Sequence, residues 1–109
     1  MIDLEKMAKE HEQLFPMASL ESQVWKMEEE IKEFMESKTV SKTIKEAADV
    51  VIVCAGLYRW CPIFAQYFAN LFRSDAVEAE ANRKWQVNLN RKWEWNGKTY
   101  KHVGKDGNE

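Results

Sequence analysis

Residues Lys45 to Tyr58, KEAADVVIVCAGLY, decide the fold. From Val50 to Leu57 the run carries no charge, so as a helix it is apolar nearly all round and must be buried. Glu46 and Asp49 stand at its start. Three residues apart, they share a helical face that continues through Val50, Val53 and Leu57. A carboxylate buried without a partner costs several kcal/mol or becomes neutral. Two on one stripe therefore call for cations, and a metal ion would supply them.

Working outward, Leu20 to about Ser37 reads as a second amphipathic helix with an apolar stripe of Val24, Met27, Ile31, Phe34 and Met35; Ser19 is its expected N-cap, with Ser22 as the alternative. It carries Glu28, Glu29, Glu30, Glu33 and Glu36. A solvated face is the plain reading of such a cluster, since Glu28 can pair with Lys32 at i,i+4. Against it, Glu29 and Glu33 are like charges at i,i+4, and Glu30 and Glu33 repeat the spacing of Glu46 and Asp49. Thr39 to Lys45 supplies the turn and the start of the next helix, with Ser41 or Thr43 as cap. Thr43-Ile-Lys-Glu46 also fits a capping box, which would give Glu46 a structural role. Asp49 has no such role: it is a poor helix former set between alanines and valines. The short connection makes the two helices antiparallel neighbours, so the two acidic pairs are expected to converge.

The remaining elements follow in order. Asp3 to Leu14 reads as a first helix with Leu4, Met7, His11 and Leu14 at helical spacing, ended near Pro16; His11 is read as a core or interface histidine, with substrate contact as the alternative. Arg59-Trp60-Cys61-Pro62 breaks the buried helix. A short aromatic helix, Ile63 to about Phe72, is expected to supply core or a subunit interface through Phe64, Tyr67, Phe68, Leu71 and Phe72; Tyr58 and Trp60 are the aromatics nominated for base stacking. Ser74 is expected to cap a last helix to about Asn90, which puts Lys84, Asn88 and, one turn on, Arg91 on one face. Trp93 to Tyr100 is a hairpin signal in which Asn96-Gly97 asks for a type I′ turn and Trp95 faces Tyr100. Gly104 to Glu109 reads as a frayed tail.

Composition bounds the rest. The chain of 109 residues, 45% hydrophobic with four glycines and two prolines, suits one helical domain over 1–109 and excludes a low-complexity protein. A net charge of -2 argues against nucleic acid as a partner. The charged N-terminus and the short apolar run argue against a signal peptide or a membrane span, and Cys54 and Cys61 read as reduced thiols, all of which suits a cytoplasmic protein. The fold class expected is all-α: an antiparallel bundle of four to five helices with a short C-terminal β-hairpin.

Carboxylates without His or Cys nearby are hard ligands for Mg²⁺ or Mn²⁺ rather than zinc. Carboxylate-bridged di-iron bundles need Glu-x-x-His, and neither His11 nor His102 has Glu three residues before it. Mg²⁺ is commonly shared with substrate phosphates, which points to hydrolysis of a phosphoanhydride. Glu29-Glu30-Ile31-Lys32-Glu33, then twelve residues, then Glu46-Ala47-Ala48-Asp49, resembles the E-E-x-x-E and E-x-x-D signature of the MazG-like all-α nucleoside triphosphate pyrophosphohydrolases. Lys84, Asn88, Arg91 and Trp93 are similar to that family's C-terminal K, N, R and W pattern, which precedes a hairpin ending near a His, here His102. The resemblance spans about Leu20 to Val103. It departs at Ile31-Lys32, where a small-residue pair is common, and over Trp60 to Phe72.

The resemblance implies that Glu30, Glu33, Glu46 and Asp49 bind Mg²⁺, that Lys84 and Arg91 together with Asn88 meet the phosphates, and that Glu29 orients water or supports the cluster. It implies a (deoxy)nucleoside triphosphate substrate cleaved to monophosphate and pyrophosphate, nucleotide-pool control, and a homodimer or homotetramer. The alternative is a non-catalytic helical interaction module with a solvated acidic face.

Overall fold

The computed structural model describes residues 2–103. It has five helices, α1 (Leu4–Leu14), α2 (Leu20–Glu36), α3 (Val40–Tyr58), α4 (Pro62–Leu71) and α5 (Asp75–Leu89), followed by strands β1 (Trp93–Trp95) and β2 (Tyr100–His102). The chain is all-α with a short antiparallel C-terminal hairpin. The tail expected over Gly104 to Glu109 lies outside the described residues.

Capping explains where the helices begin. Asp3 accepts from the Lys6 backbone N–H at 3.0 Å and starts α1. Ser19 and Ser22 act together rather than as alternatives, each hydroxyl accepting from the other's backbone N–H in a capping box. The cap of α3 is Thr39, which accepts from Lys42 N at 3.1 Å, and not Ser41 or Thr43. Those two residues already lie inside the helix, where the Thr43 hydroxyl bonds back to Thr39 O and to Ser37. The earlier start also removes the capping-box role for Glu46, which sits in the second turn and is buried. Pro62 opens α4 as its first residue, a position where its missing N–H has no helical partner to lose. Ser74 caps α5 as expected.

Helix α3 is the centre about which the rest packs, in contact with α1, α2, α4 and α5. Ala48, Val50, Val51, Cys54 and Ala55 are sealed from solvent, and Trp85 of α5 closes over the same core. Burying side chains of this size contributes about 1.5–3 kcal/mol each for the valines and Leu57. Cys54 and Cys61 are free thiols, and burial pushes the Cys54 thiol up to about 12. Among the described residues no helix is long and apolar enough to cross a membrane.

Two apolar faces turn outward. On α2, Met27 is buried and Ile31 and Phe34 are half-buried, whereas Val24 and Met35 of the expected stripe are exposed, because α3 covers only one side of the helix. On α4, Ala65 and Ala69 face inward and Phe68 and Phe72 pack beside Phe34, leaving Ile63, Phe64, Tyr67 and Leu71 exposed.

The hairpin pairs Trp95 with Tyr100, as expected, their ring centroids 5.2 Å apart. Its turn differs from the expected type I′. Among the described residues only Gly97 has a positive φ (93°), whereas type I′ needs one at Asn96 as well. Asn96 instead bridges a four-residue loop, its carbonyl accepting from Lys98 N and Thr99 N at 2.9 Å each. The hairpin docks on the end of α1: Met17 N donates to the Tyr100 hydroxyl at 2.8 Å, and Phe15 meets both Trp93 and Tyr100 with centroids 4.9 Å apart.

Candidate functional site

Glu30 and Glu33 stand one turn apart on α2, and the three-residue link to α3 folds that helix back so that Glu46 meets them. One carboxylate oxygen from each lies within 4.8 Å of the other two, a group able to hold a metal ion. The electrostatics of this trio are unfavourable without a cation. Oε2 of Glu30 and Oε2 of Glu46 are buried with no hydrogen-bond partner, and each orphaned acceptor costs about 1–3 kcal/mol, more when charged. Lys42 offers partial relief, its Nζ 3.2 Å from the other Glu46 oxygen.

Burial, followed by the charges of Asp49 and Glu33, pushes the Glu30 carboxyl up to about 8. Glu33 is raised too, by burial and then by the neighbouring Glu46 carboxylate. An all-oxygen donor set with two orphaned buried oxygens fits a hard divalent cation.

Beside the trio opens a cavity of about 240 Å³. Glu30 and Asp49 form its acidic edge, Lys26, Asn88 and Arg91 add a basic and amide wall, and His11, Phe15, Trp85, Trp93 and Tyr100 make an aromatic one. The aromatics are fixed by their polar ends. Trp85 Nε1 donates to Glu10 at 3.0 Å and Trp93 Nε1 to Asn88 O at 2.9 Å, while the Tyr100 hydroxyl accepts from Met17. Anion-binding groups next to carboxylates, backed by aromatic faces, are what a metal-associated phosphate ester with a planar substituent requires.

Of the four expected metal ligands, the structure brings Glu30, Glu33 and Glu46 together and sets Asp49 apart. Both Asp49 oxygens accept from Lys84 Nζ at 2.9 Å, and that ammonium also donates to Lys45 O at 3.2 Å. Lys84, expected at the phosphates, is thus turned toward α3, because a half-buried carboxylate on the facing helix is the nearest charge that can neutralise it. Even so, burial outweighs Lys84 and leaves the Asp49 carboxyl above its ordinary range.

Asn88 and Arg91, expected at the phosphates, line the cavity. Glu29 is exposed and outside the trio, though its charge is felt at Glu33. Neither Tyr58 nor Trp60 lines the cavity; Trp60 is capped by the Arg59 guanidinium, 4.2 Å from its ring centroid.

Gln23 and Lys26 were not singled out from the sequence. They precede Glu30 by seven and four residues, the spacing that puts them on its face of α2, and that spacing could have found them. Phe15 and Trp85 carry no comparable local signal, since only the tertiary fold brings them to the cavity. Compared with family models, with curated proteins and with solved structures, the chain gives no match.

Proposed function

We propose that the chain is a Mg²⁺-dependent nucleoside triphosphate pyrophosphohydrolase of the MazG-like all-α kind. The observation that carries this reading is the pair of buried, unpartnered oxygens on Glu30 and Glu46, with Glu30 also lining a cavity that presents Asn88 and Arg91. Glu30, Glu33 and Glu46 would hold Mg²⁺ or Mn²⁺, and Asp49 would join them once the Lys84 ammonium exchanges away from it. The bound cation supplies positive charge against phosphate oxygens and acidifies water.

The chain's own residues do the rest. Lys26, Asn88 and Arg91 hold the triphosphate and offset the charge that grows on the leaving pyrophosphate, with Lys84 adding a further cation when released. Water adds to phosphorus, the α–β anhydride bond breaks, and monophosphate and pyrophosphate leave. Glu29, whose charge is felt at Glu33, would take up the proton of that water. The aromatic wall seats the nucleoside and limits access of bulk water.

The exposed apolar faces of α2 and α4 are the surface through which we infer a homodimer or homotetramer. Leu20, Val24, Met35 and Phe64 line a groove of about 620 Å³ there. The same groove favours the competing reading, a non-catalytic interaction module. The two are separated by incubating the chain with the common NTPs and dNTPs in Mg²⁺ and resolving the products by chromatography. Monophosphate plus pyrophosphate, lost in Glu46→Gln, supports the enzyme; no turnover, or diphosphate plus phosphate, contradicts it.

A further inference from the structure

The polar groups on the aromatic side of the cavity divide into two kinds. Trp85, Trp93 and Tyr100 have their hydrogen-bonding atoms engaged within the protein. His11 and Gln23 do not. Both line the cavity and are more than nine-tenths buried, at 6% and 7% exposure, yet among the described residues neither side chain has a hydrogen-bond partner. The His11 ring packs on other rings, Phe15 at 4.7 Å and Trp85 at 6.0 Å between centroids. Their polar atoms are open to the cavity and not sealed in the core, so whatever completes their bonding must enter it, water or a ligand.

Gly56 gives a second, independent sign that this arrangement is built. It lies inside α3, where glycine costs about 1 kcal/mol relative to alanine. A Cβ there would stand 2.1 Å from Gln23 Oε1 and 2.8 Å from His11 Nε2. The missing side chain is what lets both polar groups seat against α3 side by side.

We propose that Gln23 and His11 form a pair that reads the hydrogen-bonding edge of a nucleobase, making them the specificity-determining residues of the cavity. This rests on reading the cavity as a nucleotide site. A Gln amide presents a donor and an acceptor side by side, matching the donor–acceptor edge of a base, and neutral imidazole adds one of each. Phe15 and Trp85 pack on the His11 ring, while Arg91 and Asn88 take phosphate from any nucleotide alike. Selectivity among bases therefore comes from the α1–α2 side of the cavity and not from the metal.

The test uses the full chain without metal, titrated with dAMP, dGMP, dCMP and TMP by calorimetry. The proposal predicts that affinities differ among the four by about tenfold or more and that Gln23→Met, similar in volume but without the amide, reduces the spread to within about twofold. Gly56→Ala, which displaces both groups while leaving their chemistry intact, is expected to do the same with the helical circular dichroism retained. Equal affinities for the four in the wild-type chain, or an unchanged spread in both variants, would overturn it. Base-selective binding that depends on Gln23 without any triphosphate hydrolysis would support this inference while removing the enzymatic reading. Hydrolysis with no base preference and no effect of Gln23 would do the reverse.

Discussion

Helix α5 and the α2–α3 pair treat their carboxylates in opposite ways. On α5, Glu78 lies 2.9 Å from the Arg73 guanidinium and Glu80 lies 2.8 Å from Arg83. Their carboxyls are held below the usual range, Glu78 by the Ile2 backbone N–H and then Arg73, and Glu80 by Arg83. Across α3, the carboxyls of Glu30, Glu33 and Asp49 are shifted upward instead. The chain can supply cations to its acids, and does so on α5 and at Asp49. At Glu30 and Glu46 it leaves oxygens buried and unpartnered. Such an asymmetry is what the proposed metal site calls for and a solvated face does not.

The largest break in this comparison is expected from removing a charge on the acidic side. Glu46→Gln or Glu30→Gln should lower Mg²⁺-dependent triphosphate turnover by at least about a hundredfold in a steady-state assay, whereas Glu78→Gln should leave turnover within a few-fold. In the metal-free chain the same Glu30→Gln change should hold or raise the melting temperature, since it relieves repulsion.

Next in size is the effect of the cation on stability. Mg²⁺ at a hundred times its dissociation constant should stabilise the chain by about 2.7 kcal/mol, read as a rise in melting temperature that a chelator reverses and that Glu46→Gln abolishes. Lys84→Met sharpens the contrast at Asp49, the expected ligand whose two oxygens both accept from an internal ammonium. It should cost the metal-free chain about 1 kcal/mol, because Asp49 loses its partner, while Mg²⁺ binds more tightly when titrated calorimetrically, because no ammonium competes for that carboxylate.

The smallest expected effect is in pH. The Glu30 carboxyl, raised from 4.5 to about 8, binds its proton more tightly when folded, so its contribution to stability falls as pH rises from 4.5 towards 8. His11, lowered from 6.5 to about 4 by burial and then Arg59, contributes stability that is present above 6.5 and lost as pH falls to about 4. The two oppose each other below pH 6.5, and only the Glu30 effect remains above it. Stability of the metal-free chain should therefore decline from pH 6.5 to 8, by about 1 kcal/mol once solvent screening of this partly exposed group is allowed for. Denaturant titrations across that range check it, with Glu30→Gln flattening the decline.

How far the sequence could be read depended on whether the cause was local. The uncharged run after Asp49 announced a buried helix, Ser19 and Ser22 announced a start, and the repeated three-residue spacing put Glu30 and Glu33 on one turn. Those signals sit within a few residues of their effect. The cap at Thr39 was missed because several hydroxyls in the 39–43 stretch are equivalent by pattern and differ only in which one the backbone presents to a free N–H. The turn at Asn96 was misread because its side chain, rather than a left-handed backbone, closes the loop. Lys84 was assigned to the phosphates because its pairing with Asp49 spans 35 residues, a distance at which helical periodicity carries no information. His11 stood on the apolar face of the first helix with substrate contact as its alternative reading, but that its polar atoms lack a protein partner beside Gln23 is visible only once every neighbour is in place.

Uptake of Mn²⁺ by the metal-free chain, followed by the loss of its free-ion electron paramagnetic resonance signal, tests the central claim most directly. The account predicts uptake by the wild-type chain, displacement by Mg²⁺, and no uptake by Glu46→Gln. A wild-type chain that leaves the free Mn²⁺ signal unchanged, or a variant that takes up as much as the wild type, would contradict it.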